Sequence, residues 1–170
     1  MLEKSNHIII IGAGIGGLTT ALCFRHFGIK AILYERSPQI TTAGAGIQLS
    51  PNAHGVLSYI GLSEKIAAVS RRCKGVKVFD YKSDYQMALL DYLNLKGNDL
   101  FSFCHRADLV SVLYEACKKQ EIPVHFNKQF EKITDGKAIF SDGEALVADL
   151  VIGADGLHSN ARKTVFGEAK

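Results

Sequence analysis

Apolar residues recur along this chain with two different periods, and each change of period marks an expected change of element. His7 to Ile11 is dominated by β-branched residues, the pattern of a strand buried on both faces in a parallel sheet. Gly12 breaks it. Ile15, Leu18, Leu22 and Phe27 then recur at near-helical spacing, and Gly28 stands where a C-cap glycine ends a helix. Lys30 to Glu35 reads as a second strand, so the chain is predicted to open with a strand–helix–strand unit.

Residues 36–51 hold Pro38, Pro51 and the cluster Gly44-Ala45-Gly46, and are predicted as a loop. Asn52 is placed to cap a helix carrying Val56, Leu57 and Ile60, and a second short helix is expected from Glu64 to Val69. Val76 to Asp80 and Tyr85 to Leu90 read as two strands of an antiparallel excursion. From Ala107, the set Leu109, Val112, Leu113, Ala116 and Cys117 marks an amphipathic helix. It ends at Lys118-Lys119, where cations suit the negative end of the helix dipole. Ile122 to Phe126 follows as a short strand, with Pro123 tolerated near its start.

Gln129 to Ile133, Ala138 to Phe140 and Ala145 to Val147 are divided by Asp135-Gly136 and Asp142-Gly143, strong hairpin signals that predict a β-meander. A last apolar run, Leu150 to Ile152, delivers the chain to Gly153-Ala154-Asp155-Gly156. The expected class is α/β: a Rossmann-like domain with a parallel sheet, a β-meander and an antiparallel excursion, occupying residues 1–170 as one unit.

Composition narrows the partners. The 170 residues suffice for one core, and the 47% apolar and 22% charged content is that of an ordinary globular chain. A net charge of +3, with scattered Lys and Arg, lacks the basic stripe of a nucleic-acid binder. Cys23, Cys73, Cys104 and Cys117 form no C-x-x-C pair, so neither a zinc site nor a redox dithiol is expected. Cys23 and Cys117 are expected as buried thiols in a reducing compartment. No metal-ligand motif is present. No signal-peptide pattern and no apolar run near the roughly 20 residues of a membrane span appear, which makes cytoplasmic the default expectation.

The first chemical motif is Gly12-Ala13-Gly14-Ile15-Gly16-Gly17. In this pattern Gly12 permits the tight turn, Gly14 lets a pyrophosphate approach the backbone, and Gly17 lets the helix pack on the strand. The helix-opening N–H groups and the positive dipole end then face phosphate. Glu35 ends the second strand about 20 residues on, where a carboxylate takes the ribose hydroxyls. Arg36 follows, as a cofactor contact or as a solvated cation. This motif predicts a dinucleotide without distinguishing FAD from NAD.

Gly153-Ala154-Asp155-Gly156-Leu157-His158-Ser159-Asn160-Ala161-Arg162 resembles the G-A-D-G-x-x-S-x-x-R signature of FAD-dependent aromatic hydroxylases. Gly44-Ala45-Gly46-Ile47-Gln48-Leu49-Ser50-Pro51-Asn52-Ala53 resembles a segment of that family's salicylate-hydroxylase-like branch that lines the flavin. His105-Arg106-Ala107-Asp108-Leu109 resembles its H-R-x-x-L helix start. The resemblance implies FAD as cofactor, NADPH or NADH as co-substrate, and oxygen insertion from O₂ into a small aromatic molecule. It assigns Ala45, Gly46, Arg106, Asp155 and Gly156 to the cofactor beside Gly12, Gly14, Gly17, Glu35 and Arg36, and it assigns no catalytic residue. Some relatives carry His where this chain has Gln48, and Gln cannot take up a proton near neutral pH.

By the same resemblance the chain covers less than half of a typical member, and a substrate-roofing sheet and a later G-D segment are expected beyond it. Val76, Val78, Phe79, Met87, Leu89 and Leu90 are then expected to be exposed, for a missing half or for self-association. Two other readings stand beside this one. The first is an FAD-holding module without turnover. The second is an NAD-type Rossmann dehydrogenase domain, which would lack the Gly153–Arg162 motif.

Overall fold

A computed structural model describes residues 7–40, 44–94 and 101–167. In chain order the elements are β1 (Ile8–Ile11), α1 (Ile15–His26), β2 (Ala31–Tyr34), β3 (Gly46–Leu49), α2 (Pro51–Tyr59) and α3 (Ser63–Val69). Then come β4 (Ser70–Arg72), β5 (Gly75–Phe79), β6 (Gln86–Asp91), β7 (Ser102–His105) and α4 (Arg106–Lys119). The last are β8 (Val124–His125), β9 (Phe130–Thr134), β10 (Lys137–Phe140), β11 (Ala145–Val147), β12 (Leu150–Gly153) and α5 (Asn160–Phe166). The chain divides into two compact units, Met1–Thr42 with Val110–Lys170, and Ala43–Leu109.

The first unit is built on a parallel sheet of order β12-β1-β2-β8. β1 lies inside it, with Ile9 opposite Ile32 on one neighbour and Val151 on the other. Its four isoleucines are buried because both faces are covered. Ile9 and Ile11 join Tyr34, Phe130, Ala138 and Phe140 in a core shared with the meander. Ile10 faces α1, where its Cγ2 lies 3.4 Å from the place a Cβ on Gly17 would take. α1 buries Gly17, Leu18, Ala21 and Leu22, and the buried Cys117 of α4 donates its thiol to the Leu18 carbonyl at 3.8 Å. The meander has the order β11-β10-β9. Asp135 and Gly136 both adopt positive φ (50° and 71°), the left-handed pair that a two-residue turn between right-twisted strands requires.

The second unit holds an antiparallel sheet of order β3-β7-β4 and the two-stranded hairpin β5–β6. α2 packs on β3 and on α3. Leu49, Ser70, Ser102 and Cys104 lie on the buried side of the three-stranded sheet.

Several expectations need correction. The 36–51 stretch is not all loop, because Gly46 to Leu49 pairs with β7 as a strand; residues 41–43 of it lie outside the described residues. The α2 N-cap is Ser50, with Pro51 at the first helical position, rather than Asn52. Pro suits that position because its missing N–H would be unpaired there anyway. Phe27 is the C-cap of α1 and is 65% exposed rather than part of its apolar face. The strand expected over Ile122 to Phe126 shrinks to two residues, since the Ile122 N–H is used to close α4 on the Cys117 carbonyl at 3.0 Å. Cys23 is half-buried, not buried.

Candidate functional site

In the first unit the chain leaves β1 at Gly12, whose N–H donates to the Tyr34 carbonyl at 2.8 Å. The Ala154 N–H donates to the Ile11 carbonyl, also at 2.8 Å, so the Gly153–Gly156 turn lies directly against the glycine-rich turn. Gly12 sits at φ +100°, and a Cβ there would fall 2.5 Å from the Ala154 carbonyl oxygen. Glycine is needed for two reasons here: the backbone angle, and the approach of the second motif. A Cβ on Gly17 would stand 1.9 Å from the Gly12 carbonyl oxygen, which fits the packing role expected of it.

Gly14 and Gly16 differ in kind. No heavy atom comes within 4 Å of a Cβ built on either, so the space outside the start of α1 is open. Gly14 is the N-cap of α1 and offers no side chain to its N–H groups, and no carboxylate occupies the first turn. An open, uncapped helix start with its positive dipole end exposed is chemically suited to a diphosphate. The residues present fit a dinucleotide.

Glu35 follows β2 and is half-buried. One carboxylate oxygen accepts from the Ala13 N–H at 2.7 Å and the other from the Ser37 N–H at 2.9 Å. Its backbone is tied as well, N–H to the His125 carbonyl at 2.8 Å and carbonyl to the Lys128 N–H at 2.9 Å. The side chain therefore braces the glycine-rich turn, a role the sequence reading did not include. A carboxylate offers about four acceptor sites, which leaves room for a ribose hydroxyl. Arg36 is exposed.

Asp155 is also committed locally. One carboxylate oxygen accepts from the Ser159 hydroxyl, and the other from the N–H groups of Asn160 and Ala161 at 2.8 and 3.1 Å. Ser159 in turn caps α5 by accepting from the Arg162 N–H at 2.9 Å. Gly156 turns the chain at φ +82°. Gly12, Gly14, Gly17, Glu35, Asp155 and Gly156 thus belong to one constellation, held together by backbone contacts and by the carboxylates of Glu35 and Asp155.

In the second unit a Cβ on Gly44 would meet the Arg106 side chain at 3.0 to 3.3 Å, so that glycine leaves room for the arginine stem. The Arg106 N–H donates to the Ala45 carbonyl at 3.1 Å, and Gly46 pairs with His105. Ala45, Gly46 and Arg106 are brought together here. Gln48 is exposed and lies opposite Phe103.

One polar contact in this unit lies outside the expected site residues. His54 Nε2 lies 2.8 Å from the Ser102 hydroxyl, and burial holds the imidazole below its ordinary pKa. Its signal was a serine within the apolar run Phe101-Ser102-Phe103-Cys104, which needs a partner once buried. Among the described residues no helix is long and apolar enough to cross a membrane.

Comparison with known proteins bears on this geometry. The FAD binding domain family matches residues 5–168. The chain is 36% identical to 3-hydroxybenzoate 6-hydroxylase 1 of Aquipseudomonas alcaligenes, a match covering 96% of this chain and 43% of that protein. It is 33% identical to 3-amino-4-hydroxybenzoate 2-monooxygenase of Streptomyces cremeus, over 99% of this chain and 44% of that one. In fold it resembles the tetrameric form of 2-methyl-3-hydroxypyridine-5-carboxylic acid oxygenase, with a TM-score of 0.84 at 23% identity, over 96% of this chain and 43% of that structure. The chain spans less than half the length of the curated relatives it matches.

Proposed function

This chain belongs to the FAD-binding domain family, and from that premise we propose that it is the FAD-holding portion of an NAD(P)H-dependent monooxygenase that hydroxylates a small aromatic molecule. The observation that carries the reading is the first-unit constellation: an open, uncapped helix start at Gly14, a carboxylate at Glu35, and a second turn pressed against Gly12.

In this reading the α1 N–H groups receive the diphosphate, and Gly12 and Gly17 hold the turn at the distance that leaves them open. Glu35 accepts from the adenosine ribose on an oxygen already fixed by Ala13 or Ser37, so its rotamer is set before the ligand arrives. Asp155 keeps Gly156 and the start of α5 in place, and its remaining acceptor site meets a ribityl hydroxyl. Arg36 is a rim cation at most. In the second unit, Ala45, Gly46 and Arg106 are the flavin contacts that the resemblance assigns. Bound FAD would supply the redox chemistry, carrying two electrons from NAD(P)H to O₂ so that one oxygen atom would enter the ring and the other would leave as water. The two curated relatives described above are named for hydroxybenzoates, which supports a substituted aromatic ring as substrate. The cytoplasm, where NAD(P)H is available, is the proposed compartment.

The test is a titration of the purified chain with FAD, followed by its visible spectrum and by NADPH and NADH oxidation. Saturable binding with a shifted flavin spectrum supports the reading. A chain that binds NAD but leaves FAD free in solution would return it to the dehydrogenase class.

A further inference from the structure

At the amino-terminal edge of the first unit's parallel sheet lies a cavity of about 500 Å³, within the roughly 300–1,000 Å³ of small-molecule sites. It is bounded by the end of α1, the start of β2 and the turn from α4 into β8. The glycine-rich turn and Glu35 stand at the other ends of the strands. Ala31 opens β2 beside the cavity, and Glu35 follows the strand roughly 13 Å further along. The cavity is therefore separate from the dinucleotide constellation.

Its floor is apolar: Ala21, Ala31 and Ile122 are buried, with Ile29 and Ile32 beside them. Arg25 lies one helical turn after Ala21 on the same face of α1, and Lys30 directly precedes β2; Gln120 and Glu121 complete the rim. Among the described residues, the side chains of Arg25, Lys30 and Glu121 enter no ion pair. α1 and α4 both end here, and they end alike. The Gly28 and Ile29 N–H groups donate to the Arg25 and Phe24 carbonyls at 3.0 and 2.9 Å. The Glu121 and Ile122 N–H groups donate to the Lys118 and Cys117 carbonyls, both at 3.0 Å. The turning residue of this paired closure is usually glycine. Gly28 fills that place in α1 at φ +74°, but Glu121 fills it in α4 at φ 55°, within the left-handed region that favours glycine. A carboxylate is thus kept at the cavity where the helix closure alone would be better served by no side chain.

We propose that this cavity binds a zwitterion with an apolar body, of the kind a free α-amino acid with an aliphatic side chain presents. Its carboxylate meets Arg25 and Lys30, its ammonium meets Glu121, and its side chain lies over Ile29, Ile32 and Ile122. Each element follows from the chemistry present. A guanidinium takes a carboxylate by paired, charge-assisted bonds, and a second cation beside it adds to the attraction. The Glu121 carboxylate attracts an ammonium. So do the negative dipole ends of α1 and α4, which meet at this edge and disfavour an anion that carries no amine. The Gln120 amide both donates and accepts, and can serve either end of the ligand. An aliphatic side chain gains by leaving water for the apolar floor. Such a site lies beyond the flavin reading and is independent of it.

The experiment is calorimetric titration of the full chain with L-leucine, with 4-methylpentanoate, which lacks the amine, and with 3-methylbutylamine, which lacks the carboxylate. Leucine should bind saturably, and each of the others roughly ten- to a hundredfold more weakly, the loss of a charge-assisted hydrogen bond. Replacing both cations, Arg25→Gln with Lys30→Gln, should remove the preference for leucine over 3-methylbutylamine. Glu121→Gly should remove the preference over 4-methylpentanoate and at the same time raise the melting temperature, because glycine relaxes the left-handed turn. A more stable chain that has lost discrimination cannot have lost it by unfolding. Leucine binding should be the same with and without FAD. Absence of saturable leucine binding would overturn the proposal, and so would 4-methylpentanoate binding as tightly as leucine, the mark of a general anion site. A Glu121→Gly chain that still discriminates as the parent does would overturn it too, as would displacement of leucine by FAD, which would put leucine in the dinucleotide site.

Discussion

β1 and the β5–β6 hairpin are written in nearly the same alphabet and live in opposite surroundings. β1 is four isoleucines, paired on both edges and covered on both faces within the first unit. In the hairpin, Val78, Phe79, Met87, Leu89 and Leu90 are all exposed, Val76 is half-buried, and among the described residues neither strand has a third partner. One face is apolar, with Val76 and Val78 opposite Leu90 and Ala88; the other carries Met87 and Leu89, with Lys77 opposite Leu89. A lone two-stranded hairpin is marginally stable in water, and its free edges invite further strands. An apolar run therefore states a need for cover without saying which surface provides it. For β1 the cover lies within the unit. For the hairpin none of the described residues supplies it.

The hardest test of that contrast is a pair of truncations. Ile10 is fully buried, so Ile10→Ala should cost about 2–5 kcal/mol in urea unfolding, the lost transfer energy plus a cavity. Leu89→Ser, at a site 51% exposed, should stay within about 0.5 kcal/mol of the parent. If the two costs are alike, the hairpin is covered in solution and the contrast fails.

Glu35 tests whether the first unit's order serves a ligand as well as the fold. Glu35→Ala should weaken FAD binding by roughly 1.5–3 kcal/mol, the range for a hydrogen bond to a charged group, read by flavin fluorescence. The carboxylate also holds the Ala13 and Ser37 N–H groups, so thermal stability should fall with it. Glu35→Gln separates the two roles. Its amide keeps an oxygen for one N–H and should recover more of the stability than of the affinity. Unchanged FAD affinity in both variants would remove Glu35 from the site.

Cys117 sharpens the comparison from inside. Burial pushes its thiol up to about 12, so almost no thiolate exists at neutral pH. Iodoacetamide near pH 8 should leave Cys117 unmodified in the folded chain and alkylate it on unfolding, while the half-buried Cys23 reacts sooner. Because the raised pKa belongs to the folded state, its stabilising effect is complete below the unfolded thiol value of about 8.5 and declines as pH rises above it. Mass spectrometry that finds Cys117 modified as fast as Cys23 would show that α1 and α4 open readily.

The parts that were legible in the sequence follow local rules. Gly12 to Gly17 is readable because a turn, an open helix start and a strand–helix contact fall within six residues, and Asp135-Gly136 is readable because a two-residue turn sets its own backbone. The β3-β7-β4 sheet was not readable. Gly46 and His105 are separated by most of the second unit, and nothing near either of them names the other. The glycine cluster suggested a loop because glycine is rare inside strands, yet here an absent side chain leaves room for the Arg106 stem. The dual work of Glu35 and Asp155 was hidden for a related reason. A carboxylate beside a glycine-rich turn looks the same in sequence whether it faces a ligand, the backbone or both.

The smallest expected effect distinguishes the tied part of the second unit from its hairpin. His54 lies one turn into α2, its N–H on the Ser50 carbonyl at 3.0 Å, and its Nε2 meets the buried Ser102 hydroxyl of β7 at 2.8 Å. Burial disfavours the imidazolium, so the folded-state pKa lies below the ordinary value of about 6.5. The sign follows. Between the folded and unfolded values the unfolded chain binds more protons, so stability rises with pH in that interval. The contribution is whole above about pH 6.5 and is lost as pH falls toward the folded value. The urea midpoint should therefore drop between about pH 7.5 and about pH 5.5, and His54→Gln should flatten part of that drop, since Gln still reaches a hydroxyl but does not titrate there. Because other groups also titrate, the difference between the two profiles is the quantity to read. Superimposable profiles would mean that His54 is solvated in solution and that the Ser102 contact does not hold α2 to the sheet.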